Sequence, residues 1–166
     1  TEIYTGLSTG ELLGGGSSQV GAVRMLERFI TTHPLLPAEK LAMENAIRDL
    51  LKPLARQNLA HAPQTLAAVG GTATSLAAII QDLEEYSDEK VTGVSVSLEE
   101  LQSVYAQLGR LTLEERRRLP ALQAGREDVI VCGAAILLQA AQLLGFRKLY
   151  VSAWDLLYAR LALSVD

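Results

Sequence analysis

Apolar positions recur along this chain with two periods, and each change from one period to the other marks an element. From Thr1 to Ser8, Ile3, Thr5 and Leu7 alternate with Glu2, Tyr4 and Gly6; Ser8 to Glu11 reads as a turn, and a second strand near Leu12 completes a hairpin. Val23, Leu26, Phe29 and Ile30 then fall at helical spacing, until Thr31-Thr32-His33-Pro34 stops the helix. Pro37 opens a longer helix with a stripe of Leu41, Ile47, Leu50, Leu51 and Leu54, which Pro53 is expected to bend or end. The apolar run from Gln64 to Ile80 breaks at Gly70 and Gly71, then resumes with Leu76, Ile79 and Ile80 on one helical face. It predicts a strand over Leu66–Val69, a tight turn, and a helix with Thr72 as its N-cap. Val94 to Val96 is a short strand. Ser97 with Glu100, and Thr112 with Glu115, are capping boxes; the first helix reaches about Leu108 and Pro120 ends the second. Gly125 to Asp128 lead into an apolar helix from Val129 to Leu144. Leu149–Ser152 is a last strand, and Trp154–Leu163 a last amphipathic helix. The alternation predicts α/β, with parallel strands crossing over through helices.

Composition narrows this to one packed domain: 166 residues, 49% hydrophobic and 20% charged, bury a full core and exclude a disordered chain. With a net charge of −4 and no basic run longer than Arg116-Arg117-Arg118, no nucleic-acid footprint is present. Val129–Leu144 is too short to span a bilayer comfortably and carries Gln139 and Gln142, so it is a buried core helix and no membrane partner is expected. The single Cys132 excludes an internal disulfide. It points to a reducing compartment or to simple burial, and a cytoplasmic location is the expectation.

Candidate chemistry is sparse. A helix opened by Gly70-Gly71-Thr72 offers free backbone N–H groups and a positive dipole end, which suit an anion; the same turn is also ordinary strand-to-helix punctuation. Gly14-Gly15-Gly16-Ser17-Ser18 resembles a phosphate loop, but neither a helix pattern nor a P-loop Lys follows, and a bulged or flexible strand is the better reading. His33 and His61 lack acidic or Cys partners at ligand spacing and read as loop histidines rather than metal ligands. The acidic run Asp82–Lys90 reads as a solvated helix end and loop. Arg24 either snorkels along its helix or reaches phosphate, and Arg126 with Asp128 either caps the following helix or faces a cleft.

Three separated stretches together resemble the exopolyphosphatase and guanosine pentaphosphate phosphohydrolase family (Ppx/GppA) of the actin-like ATPase superfamily. Val20 to Phe29 is similar to the family's Gly-Ala-Val-Arg-Leu-Thr-Glu-Arg-Phe segment, and Val69 to Leu76 to its Gly-Gly-Thr loop. Arg118 to Leu122, followed by Arg126 to Ile136, resembles its Arg-x-x-Pro-Gly-Leu and Arg-Ala-Asp-Val-Ile-x-x-Gly-Ala pair. There are departures. Ala121 stands where the family has glycine, and Val151 to Ala159 lacks the Gly and Arg of the family's Val-Ser-x-x-Gly-Leu-Arg-x-Gly.

The resemblance implies a ribonuclease H-like lobe, a mixed and mostly parallel sheet flanked by helices, over residues 1–166 as the C-terminal lobe of a two-lobed phosphatase. It implies release of terminal phosphate from inorganic polyphosphate or guanosine pentaphosphate, with Mg²⁺ in the whole enzyme and a water-positioning glutamate in the other lobe. No catalytic residue and no metal ligand are then expected here. Gly70, Gly71, Thr72, Arg24 and Arg126 would hold phosphate, and Asp128, Gly133 and Ala134 would face the N-terminal lobe. The altered final motif keeps a second reading open, a non-catalytic polyphosphate or nucleotide sensor. In the family, Thr1-Glu2 ends an Asp-Ile-Gly-Gly-Gly-Ser-Thr-Glu segment whose strand lies between the hairpin and Leu66–Val69. Without that strand, two unpaired sheet edges are expected, and with them a homo-oligomer formed through the hairpin or a loose Thr1–Gln19.

Overall fold

A computed structural model describes residues 1–154, so the helix expected over Trp154–Leu163 lies, Trp154 apart, outside the described residues. The hairpin is β1 (Glu2–Gly6) and β2 (Leu12–Ser17); α1 (Ala22–Phe29) and α2 (Pro37–Leu59) follow. Next come β3 (Ala67–Val69), α3 (Gly71–Ile80), the single turn α4 (Asp88–Val91) and β4 (Ser95–Ser97). The last described elements are α5 (Leu98–Arg110), α6 (Leu113–Arg117), α7 (Ile130–Leu143) and β5 (Lys148–Ser152). Ser97 and Thr112 cap α5 and α6 through complete capping boxes, as their spacing predicts.

The strands form two sheets. In one the order is β3-β5-β4, with β3 parallel and β4 antiparallel to β5; β1 and β2 pair only with each other among the described residues. The sheet is thus mixed, but its parallel share among those residues is the β3–β5 pair alone. Along β5, Leu149 and Val151 are buried while Lys148 and Tyr150 are exposed, so one face meets the core. That core is built round α7, which is buried over most of its length and packs against α1, α2, α3 and α5.

For α2 one expectation needs correction and another is narrowed. Its buried stripe is Met43, Ile47, Leu51, Leu54, Ala55 and Asn58, leaving Leu41 59% and Leu50 38% exposed. Leu41 precedes Met43 by two residues, about 200° round the helix, so the apolar count overran the face. Pro53 does not end the helix, which continues to Leu59: the ring sits on the exposed side, where the carbonyl it leaves unpaired can reach water, while Leu51, Leu54 and Ala55 hold the inner side.

The glycine run is a strand, and its missing side chains leave room for His61, just past α2, and for the facing strand β1. A Cβ on Gly14 would lie 2.6 Å from His61 Nε2, and one on Gly15, whose φ is 139°, would lie 2.4 Å from the Ile3 carbonyl oxygen. The hairpin is sewn to α2 through the buried Asn58, which accepts from Thr5 Oγ1 at 2.7 Å and donates to the carbonyls of Ile3 (3.3 Å) and Leu54 (2.9 Å). It does not pair with β3. Between β1 and β3 lies a slot of about 370 Å³, walled by Thr1–Tyr4 and Leu66–Val69 and floored by the α7 residues Gly133, Ile136 and Ala140.

Candidate functional site

Where β3 turns into α3, Gly70 has φ 97° and ψ 166°, a conformation that favours glycine. This residue is the N-cap. Thr72, expected there, lies one step inside the first turn, because the helix starts at Gly71. The first bond that reaches back along α3 is Thr74 N–H to the Gly70 carbonyl, at 3.2 Å. The turn holds neither an acidic residue nor a side-chain cap, so the amides of Gly71, Thr72 and Ala73 end the helix dipole without a side-chain acceptor.

Arg126 covers this end. A Cβ built on Gly71 would fall 2.2 Å from its Nη2 and 2.3 Å from its Nη1, so the guanidinium lies flat against backbone that any side chain would occlude. Its Nε donates to Gln123 Oε1 at 2.9 Å, and its carbonyl accepts from Ile130 N–H at 2.9 Å at the head of α7. A cationic fork and a positive helix terminus are thereby placed together with no acidic side chain in the first turn of α3, an arrangement that an anion completes.

Of the residues expected to hold phosphate, the fold gathers Gly70, Gly71, Thr72 and Arg126. Arg24 is exposed on α1 with its Nη1 on Gln19 Oε1 at 2.6 Å, and no described hydrogen bond links it to the others. Its helix does come near, since Ala22 lines the slot together with Val69 and Thr72. Arg126 and Asp128 are not paired with each other among the described ion pairs. Asp128 instead sets its charge beside Arg116, His33 and Cys132. Ala134, expected to face another lobe, has 0% exposure and lies inside the core of this chain. Gly133 is equally buried, and the space above it is taken by Thr72, whose Oγ1 would be 2.5 Å from a Cβ there.

The residues that sequence reasoning missed lie behind Arg126. Arg116 has 0% exposure; its Nε donates to the Leu108 carbonyl at 2.9 Å and its Nη1 to the Glu127 carbonyl at 3.0 Å, with His33 Nδ1 also 3.0 Å from Nη1. Burial and the Arg116 charge hold His33 below the usual imidazole range, against the opposing pull of Asp128 and Glu39. Burial pushes the Cys132 thiol up to about 12, which makes it a core hydrophobe rather than a nucleophile. Tyr86, inside the acidic run, donates to Asp88 Oδ1 at 2.6 Å; burial first and Asp88 second push its phenol up, while Arg126 pulls the other way. An aromatic within an acidic run was the available signal. The described residues contain no cluster of three or more His, Cys, Asp or Glu that could hold a metal, and no described helix is long and apolar enough to cross a membrane.

The chain has relatives among known proteins. Exopolyphosphatase 2 of Mycobacterium tuberculosis is 29% identical over 161 residues, which cover 95% of this chain and 50% of that protein. The crystal structure of the Aquifex aeolicus Ppx/GppA phosphatase, type II variant, matches with a TM-score of 0.90 at 23% identity, over 99% of this chain and 53% of its own. An exopolyphosphatase from Cytophaga hutchinsonii matches with a TM-score of 0.78 at 26% identity, over 92% of this chain and 51% of its own. The chain thus spans about half the length of the relatives it matches, and it shares their actin-like fold of a mixed sheet flanked by helices. The Ppx/GppA phosphatase family model matches residues 1–157, and by that match this chain belongs to the Ppx/GppA phosphatase family.

Proposed function

We propose that this chain is the C-terminal lobe of a two-lobed, cytoplasmic phosphoanhydride hydrolase that releases terminal phosphate from inorganic polyphosphate or guanosine pentaphosphate. The observation that carries this reading is the Arg126 guanidinium lying over the uncapped start of α3. In this reading the amides of Gly71 to Ala73 and the arginine fork hold phosphate oxygens, and charge that builds on them in the transition state meets donors already in place. Arg24, on the neighbouring helix, would meet a longer chain of phosphates. Mg²⁺ would neutralise phosphate charge in the whole enzyme, but the described residues hold no cluster that fits it as ligands. The isolated chain is then expected to bind phosphates without turning them over. The β1 and β3 edges, unpaired with each other among the described residues, make self-association the expected state, which light scattering reads.

Titration of the ¹⁵N-labelled chain with pyrophosphate and short polyphosphate tests the site. Amide shifts should concentrate on residues 70–73 and the Arg126 side chain, and Arg126→Ala should weaken binding by roughly tenfold or more, the worth of a charge-assisted hydrogen bond. Shifts confined to other regions, or binding unaffected by Arg126→Ala, would overturn the reading.

A further inference from the structure

Two neighbouring arginines of α6 grip one residue of the loop that carries Arg126. Arg116 Nη1 holds the Glu127 carbonyl at 3.0 Å, and Arg117 Nε holds the Glu127 carboxylate at 2.9 Å. Arg117 is in turn paired with Glu114 one turn back on α6. Glu127 sits between Arg126, laid over Gly71, and Asp128, whose charge faces Arg116 and His33. Arg116 is also tied to the C-terminal end of α5 through the Leu108 carbonyl, and its Nη2 finds no partner among the described residues.

A fully buried arginine that spends its donors on backbone carbonyls rather than on a carboxylate is poorly explained as a stability device, since a hydrophobe of similar size avoids the desolvation cost. The chemistry it supplies is positional: one rigid fork meets two carbonyls and an imidazole at once, which no apolar side chain can do. We infer that Arg116, assisted by Arg117, is a positioning residue that sets the 126–128 loop and so presents the Arg126 guanidinium to phosphate at the start of α3. This rests on the phosphate-binding reading above. Neither α6 arginine touches the anion; each acts through Glu127.

The test is a double-mutant cycle in this chain, with pyrophosphate as the probe and the amide shifts of residues 70–73 as the readout. Arg116→Lys keeps the charge but loses the fork; it should weaken binding about fivefold or more and raise the picosecond mobility of the Arg126 Nε–H, measured by its heteronuclear NOE. In an Arg126→Ala background it should change nothing further. Wild-type affinity in a folded Arg116→Lys, or equal weakening in both backgrounds, overturns the inference while leaving the phosphate site standing. An Arg126→Ala variant that binds normally removes the phosphate reading and this one with it. Should Arg116→Lys fail to fold, Arg117→Ala, at a side chain 52% exposed, takes its place. It should cause a smaller loss, about twofold, with the same dependence on Arg126, and unchanged affinity with an unchanged NOE would overturn the inference.

Discussion

Adding one methyl group at Gly133 should disturb the site from behind. A Cβ there would lie 2.5 Å from Thr72 Oγ1, 2.6 Å from its Cγ2 and 3.2 Å from its Cβ. Thr72 cannot swing both branches clear, because a β-branched side chain in a helix has few χ1 wells open to it. Helix α3 must therefore move away from α7. Overpacking of this kind costs about 1–3 kcal/mol, offset by about 1 kcal/mol from replacing a mid-helix glycine with alanine, so Gly133→Ala alone should destabilise by roughly 0–2 kcal/mol. The sharper quantity is the coupling. With Thr72→Ala both clashing branches are gone and only the 3.2 Å contact remains, so Gly133→Ala should become neutral or mildly stabilising, a coupling of about 1–3 kcal/mol. Urea unfolding of the four proteins measures it, and pyrophosphate titration should show the single Gly133 variant weakened because the first turn of α3 has shifted. Additivity within about 0.5 kcal/mol, or a Gly133→Ala protein more stable than the parent, would refute the packing argument.

Three further outcomes are expected. Gly71→Ala should leave stability within about 1 kcal/mol, since the clashing atoms are the far end of a flexible side chain, yet weaken pyrophosphate binding as much as Arg126→Ala does; calorimetric titration beside a melting curve separates the two effects. Ser97→Ala and Thr112→Ala each remove a complete capping box and should each cost about 1 kcal/mol, read as a shift in the urea midpoint. The folded state holds His33 below the unfolded value of 6.5, so it binds fewer protons than the unfolded chain as pH falls under 6.5. Stability should drop from there until His33 itself titrates, and His33→Gln should flatten the slope just below pH 6.5, a window that lies above the loss expected from the lowered carboxylates Glu39, Glu100, Glu115 and Glu127.

Local signals were legible where chemistry is local. Serine or threonine three residues before glutamate gave both capping boxes, the change of period at Gly70 gave the strand and helix, and the unbroken apolar run gave α7 as the core. The position of Arg126 over Gly71 depends on the fold bringing α3 and the loop before α7 together, and no spacing along the chain encodes a contact across 55 residues. At Gly133 the space that a side chain would fill is taken by Thr72 of α3, a contact that local spacing does not encode either. Asn58 and Arg116 were invisible for the same reason. A polar residue within a helical pattern reads as a solvent-facing position unless its distant partners are known.

The separation of the hairpin from the three-stranded sheet has a consequence for how the molecule breathes. Among the described residues no ladder runs from β1 to β3, so the hairpin is retained chiefly by the Asn58 bonds from α2 and by the close contact of Gly14 with His61 just beyond that helix. Such a unit can open while β3, β5 and α7 stay closed. Amides of β1 and β2 should exchange with solvent deuterium through a subglobal opening well below the global unfolding free energy, and those of β5 and α7 only through complete unfolding. Asn58→Ala should accelerate the first class and leave the second bound to overall stability.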